Sequence, residues 1–268
     1  MIESMTEQLL VNERADILEL ILNRPEKYNA ISDAMWDALR EAVFMFGARR
    51  DLRVLLIRAN GKYFSAGSDI NPKTIPEFSG STLDGRQWFR NKWHTLFDEF
   101  EAIEKPIVVA HQGPCMGAAL EMSLSCDFRL AATSARYGLP EIEIGGLPGS
   151  GGISRLTRLV GPHWARWLIM AGEQATADEA LSMGIVHAVY PDDSFESRTR
   201  TFCERLAKRP YEVLGLAKLS IELTTDLDRA QARNVERISG SILFTGDEQK
   251  GLIRAFLERQ AAKRRTRE

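Results

Sequence analysis

The chain has 268 residues, 44% hydrophobic and 27% charged, with a formal net charge of −2. That composition suits a soluble globular protein with a real core, and the charge balance excludes general attraction to nucleic acid or to an anionic membrane. Cys115, Cys126 and Cys203 are odd in number and widely spaced, with no Cys-x-x-Cys and no His pair at ligand spacing, so neither a disulfide frame nor a metal site is expected.

The N-terminal run "MIESMTEQLL" carries acids and lacks an apolar centre, so it does not read as a signal peptide. No apolar run approaches the ~20 residues of a membrane span, and a cytoplasmic location is expected. "ADILELIL" and "LRVLLIRA" read as strands from their β-branched content and short apolar runs. Between them "SDAMWDALREAVFMFGARR" reads as a helix capped by Ser32, with Met35, Leu39, Ala42, Val43 and Phe46 on its apolar stripe. "NPKTIPEFSGSTLDGRQ", Asn71 to Gln87, is rich in Pro, Gly and Ser and reads as a lid or loop. "KPIVVAHQG", "DFRLAA" and "IVHAVYP" read as further strands. Helices are expected at "GAALEMSLSC", "GGISRLTRLVG", "HWARWLIMAG" and "TADEALSMG". Strand and helix thus alternate over residues 10 to 190, the pattern of an α/β layered fold with mostly parallel strands. After Pro191 the chain turns helical, and this part is too thin to bury its own apolar stripes; they are expected to pack on the main layer or on another subunit.

Three turns of small residues stand out: "SAGSD", "GPCMGAALE" and "GGLPGSGG", the last two opening helices. A helix N-terminus exposes unpaired N–H groups, and two such groups from different turns can converge on one oxygen. The turns fit neither a phosphate loop, a dinucleotide fingerprint nor a G-x-S-x-G elbow, and taken alone they read better as plain turns that start helices. Two acids add chemistry. Glu121 lies in the first turn of "GAALEMSLS", and Glu141 lies in "YGLPEIEIGG", both among small or apolar neighbours. Such glutamates are costly to ionise, and a close pair would titrate apart, as acid and base roles require. The bland readings are a helix-terminal charge for Glu121 and a surface acid for Glu141.

The blocks "FSAGSDI", "KPIVVAHQGPCMGAALEMSLSCDFRLAA", "ARYGLPEIEIGGLPGSGGISRLTRLVG" and "ADEALSMGIVHAVYP" resemble, in order and spacing, the crotonase superfamily, the enoyl-CoA hydratase/isomerase group. The resemblance spans nearly the whole chain. It implies a crotonase-like ββα spiral core over residues 1–195, with a C-terminal helical oligomerisation subdomain over residues 196–268. It also implies an acyl-CoA thioester substrate and assembly as a homotrimer or hexamer. No cofactor is implied beyond the coenzyme A of the substrate. The thioester oxygen would rest in an oxyanion hole made by the backbone N–H groups of Ser68 and Ala118, with Gly117 keeping the turn tight. Glu121 would act as base on a water, and Glu141 as the acid that protonates the α-carbon, hydrating a 2-enoyl-CoA as a lyase. Ala66 and Ile70 would line the nucleotide pocket, Asp69 would cap the following turn, and Arg24 and Lys27 would meet the CoA phosphates.

The sequence departs from the family pattern in places. Ala118 and Ala119 stand where glycines are common, and His111 stands where Asn is frequent; a lone His at a strand end reads as a hydrogen-bonded structural residue. An isomerase of the family can work with one acid at the Glu141 position, so isomerisation stays open. A dehalogenase-like site would need an aspartate near Gly149 and a tryptophan at position 141, and neither is present. Phe78, Trp88, Phe89 and Trp93 could shape a bulky acyl pocket or simply pack the lid. An RNA-binding or scaffolding homologue is the reading from a different class, supported only by the basic tail "AAKRRTRE".

Overall fold

The computed structural model describes residues 2–70 and 82–265. The lid or loop expected over Asn71–Gln87 lies outside the described residues as far as Ser81, with Phe78, and from Thr82 onward it is helix rather than loop; the end of the basic tail also lies outside the described residues. The chain divides into two compact units, Met1–Ala207 and Lys208–Glu268.

The first unit opens with a hairpin, β1 (Ile2–Thr6) and β2 (Leu9–Arg14), followed by β3 (Ile17–Leu22). β1, β2 and β3 pair antiparallel. The sequence expectation began at the third of these strands. The first two mix polar and apolar residues without a clean period of two, so their pairing with β3 is what makes them strands. Helix α1 (Asp33–Ala48) begins where the Ser32 side chain accepts the Met35 N–H at 3.2 Å, the cap expected from sequence. It leads to β4 (Val54–Ala59), which pairs parallel to β3.

After β4 come α2 (Thr82–Phe89), a π-helical turn over Arg90–His94, and α3 (Thr95–Ala102). Strand β5 (Ile107–His111), the short β6 (Cys115–Met116), α4 (Ala118–Leu124) and β7 (Phe128–Ala132) follow. Next are β8 (Arg136–Gly138), a 3-10 turn over Pro140–Ile144, and α5 (Gly152–Ile169), which is kinked at Gly161 ahead of Pro162. β9 (Ala175–Thr176), α6 (Ala177–Met183), β10 (Ala188–Tyr190) and α7 (Phe195–Ala207) complete the unit. The main sheet runs β1-β2-β3-β4-β5-β7-β10, parallel from β3 onward, and β6-β8-β9 form a second small sheet. The mostly parallel α/β layering expected from the alternation is therefore present.

One face of the sheet presents Leu18, Leu20, Leu55, Ile57 and Val109 to the core, where they meet Met35, Leu39 and Phe46 of α1. The opposite face of β3, β4 and β7 packs against α7. Residues 196–207, expected in the helical subdomain, therefore belong with the sheet, because α7 buries Phe195, Cys203 and Leu206. Within this layer Glu19 of β3 is 3% exposed, yet it meets Arg58 Nε at 2.6 Å and Asn12 Nδ2 at 3.0 Å. Burial alone would raise its pKa; these partners outweigh burial and hold the carboxyl below its ordinary value.

The second unit holds α8 (Tyr211–Thr224), α9 (Arg229–Thr245) and α10 (Asp247–Arg265). The single long helical segment expected from Leu227 to Arg259 is divided at Gly246, which has an extended backbone. Ile238, Ile242, Phe244, Leu252, Ile253, Phe256 and Leu257 of this unit are exposed.

Candidate active site

A cavity of about 520 Å³ lies in the first unit, where the segments expected to carry chemistry meet. Its wall includes Ala66, Ser68, Asp69 and Ile70 from the loop after β4, and Gly117, Ala118 and Glu121 from the start of α4. Glu141 enters it from the 3-10 turn after β8.

The loop after β4 is held from two sides. Ser65 N–H donates to Pro114 carbonyl at 3.1 Å, and Met116 N–H returns a bond to Ser65 carbonyl at 3.0 Å. On the other flank Ala66 N–H donates to Tyr28 carbonyl at 2.9 Å, Ile31 N–H to Gly67 carbonyl at 2.8 Å, and Asp69 N–H to Ile31 carbonyl at 3.0 Å. The Ser68 amide falls outside this pairing. Gly67 has φ +94°, and a Cβ built on it would lie 2.9 Å from Met116 carbonyl oxygen and 3.2 Å from Ala118 N. Only glycine takes that conformation at so close an approach. The Ser68 and Ala118 segments are thus pressed together, and Ala118 is the first residue of α4, where a helical N–H has no intrahelical acceptor.

Glu121 is 3% exposed. Its Oε2 accepts the Ser150 N–H at 2.7 Å and the Gly152 N–H at 3.0 Å, both from the start of α5. Burial, then the charge of Glu141, push its carboxyl up to about 7 against the pull of those two amides and Arg155. Glu141 is also raised, by burial. Its Oε2 is buried with no hydrogen-bond partner, and its Oε1 would lie 2.9 Å from a Cβ placed on Gly117. The contrast with Glu19 is physical. Glu19 meets Arg58, which helps hold its carboxyl down, whereas Glu121 and Glu141 line the same cavity and burial raises both.

The other sequence-selected residues fall nearby. Arg24 Nη1 donates to Asp69 Oδ2 at 2.7 Å and to Ala30 carbonyl at 3.0 Å, which ties loop 24–31 to the cavity wall. Lys27 is exposed on that loop, and neither cation lines the cavity. His111 is fully buried, with Nδ1 3.0 Å from Tyr137 Oη and Nε2 2.9 Å from Ser123 Oγ. Burial, then Arg129, push its pKa down to about 3, so it is neutral and acts as a structural link to α4. Trp88, Phe89 and Trp93 line the cavity, as does Lys92, which sequence reading passed over. Also missed were the Ser150 and Gly152 amides as the anchor of Glu121. The signal was available, since "GGLPGSGG" opens a helix and its free N–H groups need an acceptor.

The sequence profile of the enoyl-CoA hydratase/isomerase family matches residues 12–265. The 2,3-dehydroadipyl-CoA hydratase of Escherichia coli is 29% identical over 94% of this chain and 96% of its own length. The short-chain-enoyl-CoA hydratase of Clostridium acetobutylicum is 31% identical over 94% of this chain and 95% of its own. The crystal structure of the Bacillus anthracis enoyl-CoA hydratase superposes with a TM-score of 0.87 at 27% identity, covering 94% of this chain and 96% of that one. The fold is the crotonase fold, and the chain belongs to the enoyl-CoA hydratase/isomerase family.

Proposed function

We propose that the protein adds water across the α,β double bond of a 2-enoyl-CoA to give a 3-hydroxyacyl-CoA. The observation that carries this reading is the presence of two raised carboxyls, Glu121 and Glu141, in the lining of the same cavity as Ser68 and Ala118. The amides form an oxyanion hole for the thioester oxygen, so that negative charge developing on it meets fixed donors. Glu121, ionised and steadied by two backbone amides, takes a proton from the water as its oxygen bonds to the β-carbon. Glu141 gives its proton to the α-carbon. Hydration moves no electrons to or from the substrate, so the reaction needs no redox cofactor.

The remaining parts of the reading follow the same site. Ala66, Asp69 and Ile70 flank the nucleotide, and Arg24 and Lys27, on the loop bonded to that segment, meet the CoA phosphates. The exposed apolar side chains of α9 and α10 support assembly as a homotrimer or as paired trimers, which a solution mass checks. A cytoplasmic location fits the acyl-CoA substrate.

The deciding experiment follows loss of conjugation absorbance with crotonyl-CoA. Hydration by the native chain, lowered about 10²–10⁴-fold in Glu141→Gln, is expected. Full activity in that variant would remove Glu141 from the mechanism, and double-bond migration without hydration would replace the reading with an isomerase.

A further inference from the structure

The cavity that holds the carboxyls also has an aromatic lining, Trp88, Phe89 and Trp93, with one cation set into it. Among the described lining residues Lys92 is the only cation. It sits on the π-helical turn Arg90–His94, a device that redirects side chains within a helix and recurs at functional sites. Its Nζ lies 5.4 Å from the Trp88 ring centre and 5.5 Å from that of Trp93, and it pairs with Asp33 Oδ1. Trp93 is fixed in turn against Trp36 at 4.5 Å between ring centres. The Lys92 side chain is 20% exposed, whereas Asp33 is 63% exposed and well placed to be solvated. The ammonium is thus held in place, with N–H donors beyond the one given to Asp33.

The position of Lys92 relative to the reacting groups can be traced along the helix. Phe89 packs against Gly149, where an added Cβ would lie 3.0 Å from its ring. Gly149 precedes Ser150, whose amide holds Glu121. Lys92 follows Phe89 by about one helical turn, some ~5 Å along the axis. In the binding mode we infer, a short acyl chain whose double bond lies at Glu121 and Glu141 directs its far end toward Lys92, which lines the same cavity. An alkyl end there would strip water from the ammonium and offer no acceptor in return. A carboxylate end would restore a charge-assisted hydrogen bond, and the ionised Glu121 would repel it from the reacting end.

We propose that the preferred acyl group is a short chain ending in a carboxylate, anchored by the Lys92 ammonium. The proposal rests on the hydratase reading for the placement of the thioester, but its binding arm does not need catalysis. Calorimetry on the full chain compares two saturated thioesters, hexanoyl-CoA and adipyl-CoA, and steady-state kinetics compares 2-hexenoyl-CoA with its ω-carboxy counterpart. The carboxylate-ended member is expected to be favoured about tenfold or more in both. Lys92→Met is expected to erase that ratio and Lys92→Arg to keep most of it, with each variant's fold checked by circular dichroism. Equal or weaker binding of adipyl-CoA relative to hexanoyl-CoA overturns the proposal, as does an unchanged ratio in Lys92→Met. A preference for cinnamoyl-CoA over both aliphatic thioesters also overturns it, assigning the indole faces to an aromatic acyl group instead. Preferential binding of adipyl-CoA without any hydration would sustain the anchor and defeat the hydratase reading alone.

Discussion

Gly152 donates its N–H to Glu121 Oε2 at 3.0 Å, and a Cβ on the same residue would stand 2.7 Å from that oxygen and 2.7 Å from Glu121 Cγ. The amide that steadies the carboxylate is therefore usable only because no side chain accompanies it. Gly152→Ala is expected to displace the Glu121 carboxylate and lower kcat for enoyl-CoA hydration about 100-fold or more. Overpacking should cost about 1–3 kcal/mol of stability as well. Steady-state rates on crotonyl-CoA and a urea melt check both; a fully active Gly152→Ala would dissociate Glu121 from the chemistry.

Titration of Glu121 gives a stability effect of definite sign. Its pKa is 4.5 when unfolded and about 7 when folded, so the native state holds an extra proton between those values. The resulting stabilisation is complete below pH 4.5 and is lost as pH rises through about 7, amounting to about 3 kcal/mol. Glu121→Gln carries no such loss. It is expected to be more stable than the native chain at pH 8, with the advantage fading by pH 5, while its hydratase activity collapses. Denaturant melts at the two pH values decide this, and a pH-independent difference would contradict it.

His111 works in the opposite direction. Its pKa falls from 6.5 unfolded to about 3 folded, so stability drops as pH falls below 6.5, at about 1.4 kcal/mol per pH unit. Between pH 6.5 and 4.5 the Glu121 and His111 terms offset one another. Replacing His111 with Leu removes the titration but strands the Tyr137 hydroxyl, at about 1–3 kcal/mol. His111→Leu should therefore be weaker than the native chain at pH 7 and close part of that gap toward pH 4.5. A constant gap across the range would mean that His111 is already protonated in the fold.

Gly67→Ala tests the backbone cradle. The position has φ +94°, and its Cβ would press on Met116 carbonyl at 2.9 Å. Strain of about 1–2 kcal/mol is expected from the left-handed backbone alone. Moving the Ser68 amide away from Ala118 should lower kcat about 10²–10³-fold. Unaltered turnover would place the thioester oxygen elsewhere.

Much of this was legible in the sequence because it is local. The Ser32 cap, the buried runs of β3, β4 and β5, and the small-residue turns each depend on neighbours a few positions away. Glu121 and Glu141 stood out because their own neighbours are apolar. What escaped depends on distant partners. The β1–β2 hairpin is held by β3, α7 joins the sheet through β3, β4 and β7, and the division at Gly246 splits what reads as one continuous amphipathic pattern. Lys92 drew no reading from its sequence neighbours; it is the fold that sets its ammonium near both Trp88 and Trp93.

In the proposed mechanism the Ser68 and Ala118 donors belong to the main chain, so a survey that replaces residues one at a time would misread such a centre. Exchanging the serine hydroxyl or the alanine methyl leaves both hydrogens where they are, and such variants would score as dispensable. Sensitivity would surface instead at neighbours that touch no substrate, Gly67 and Gly152. The map of intolerance expected from the proposed mechanism is an outline drawn around the machinery, with its most important atoms in the blank interior.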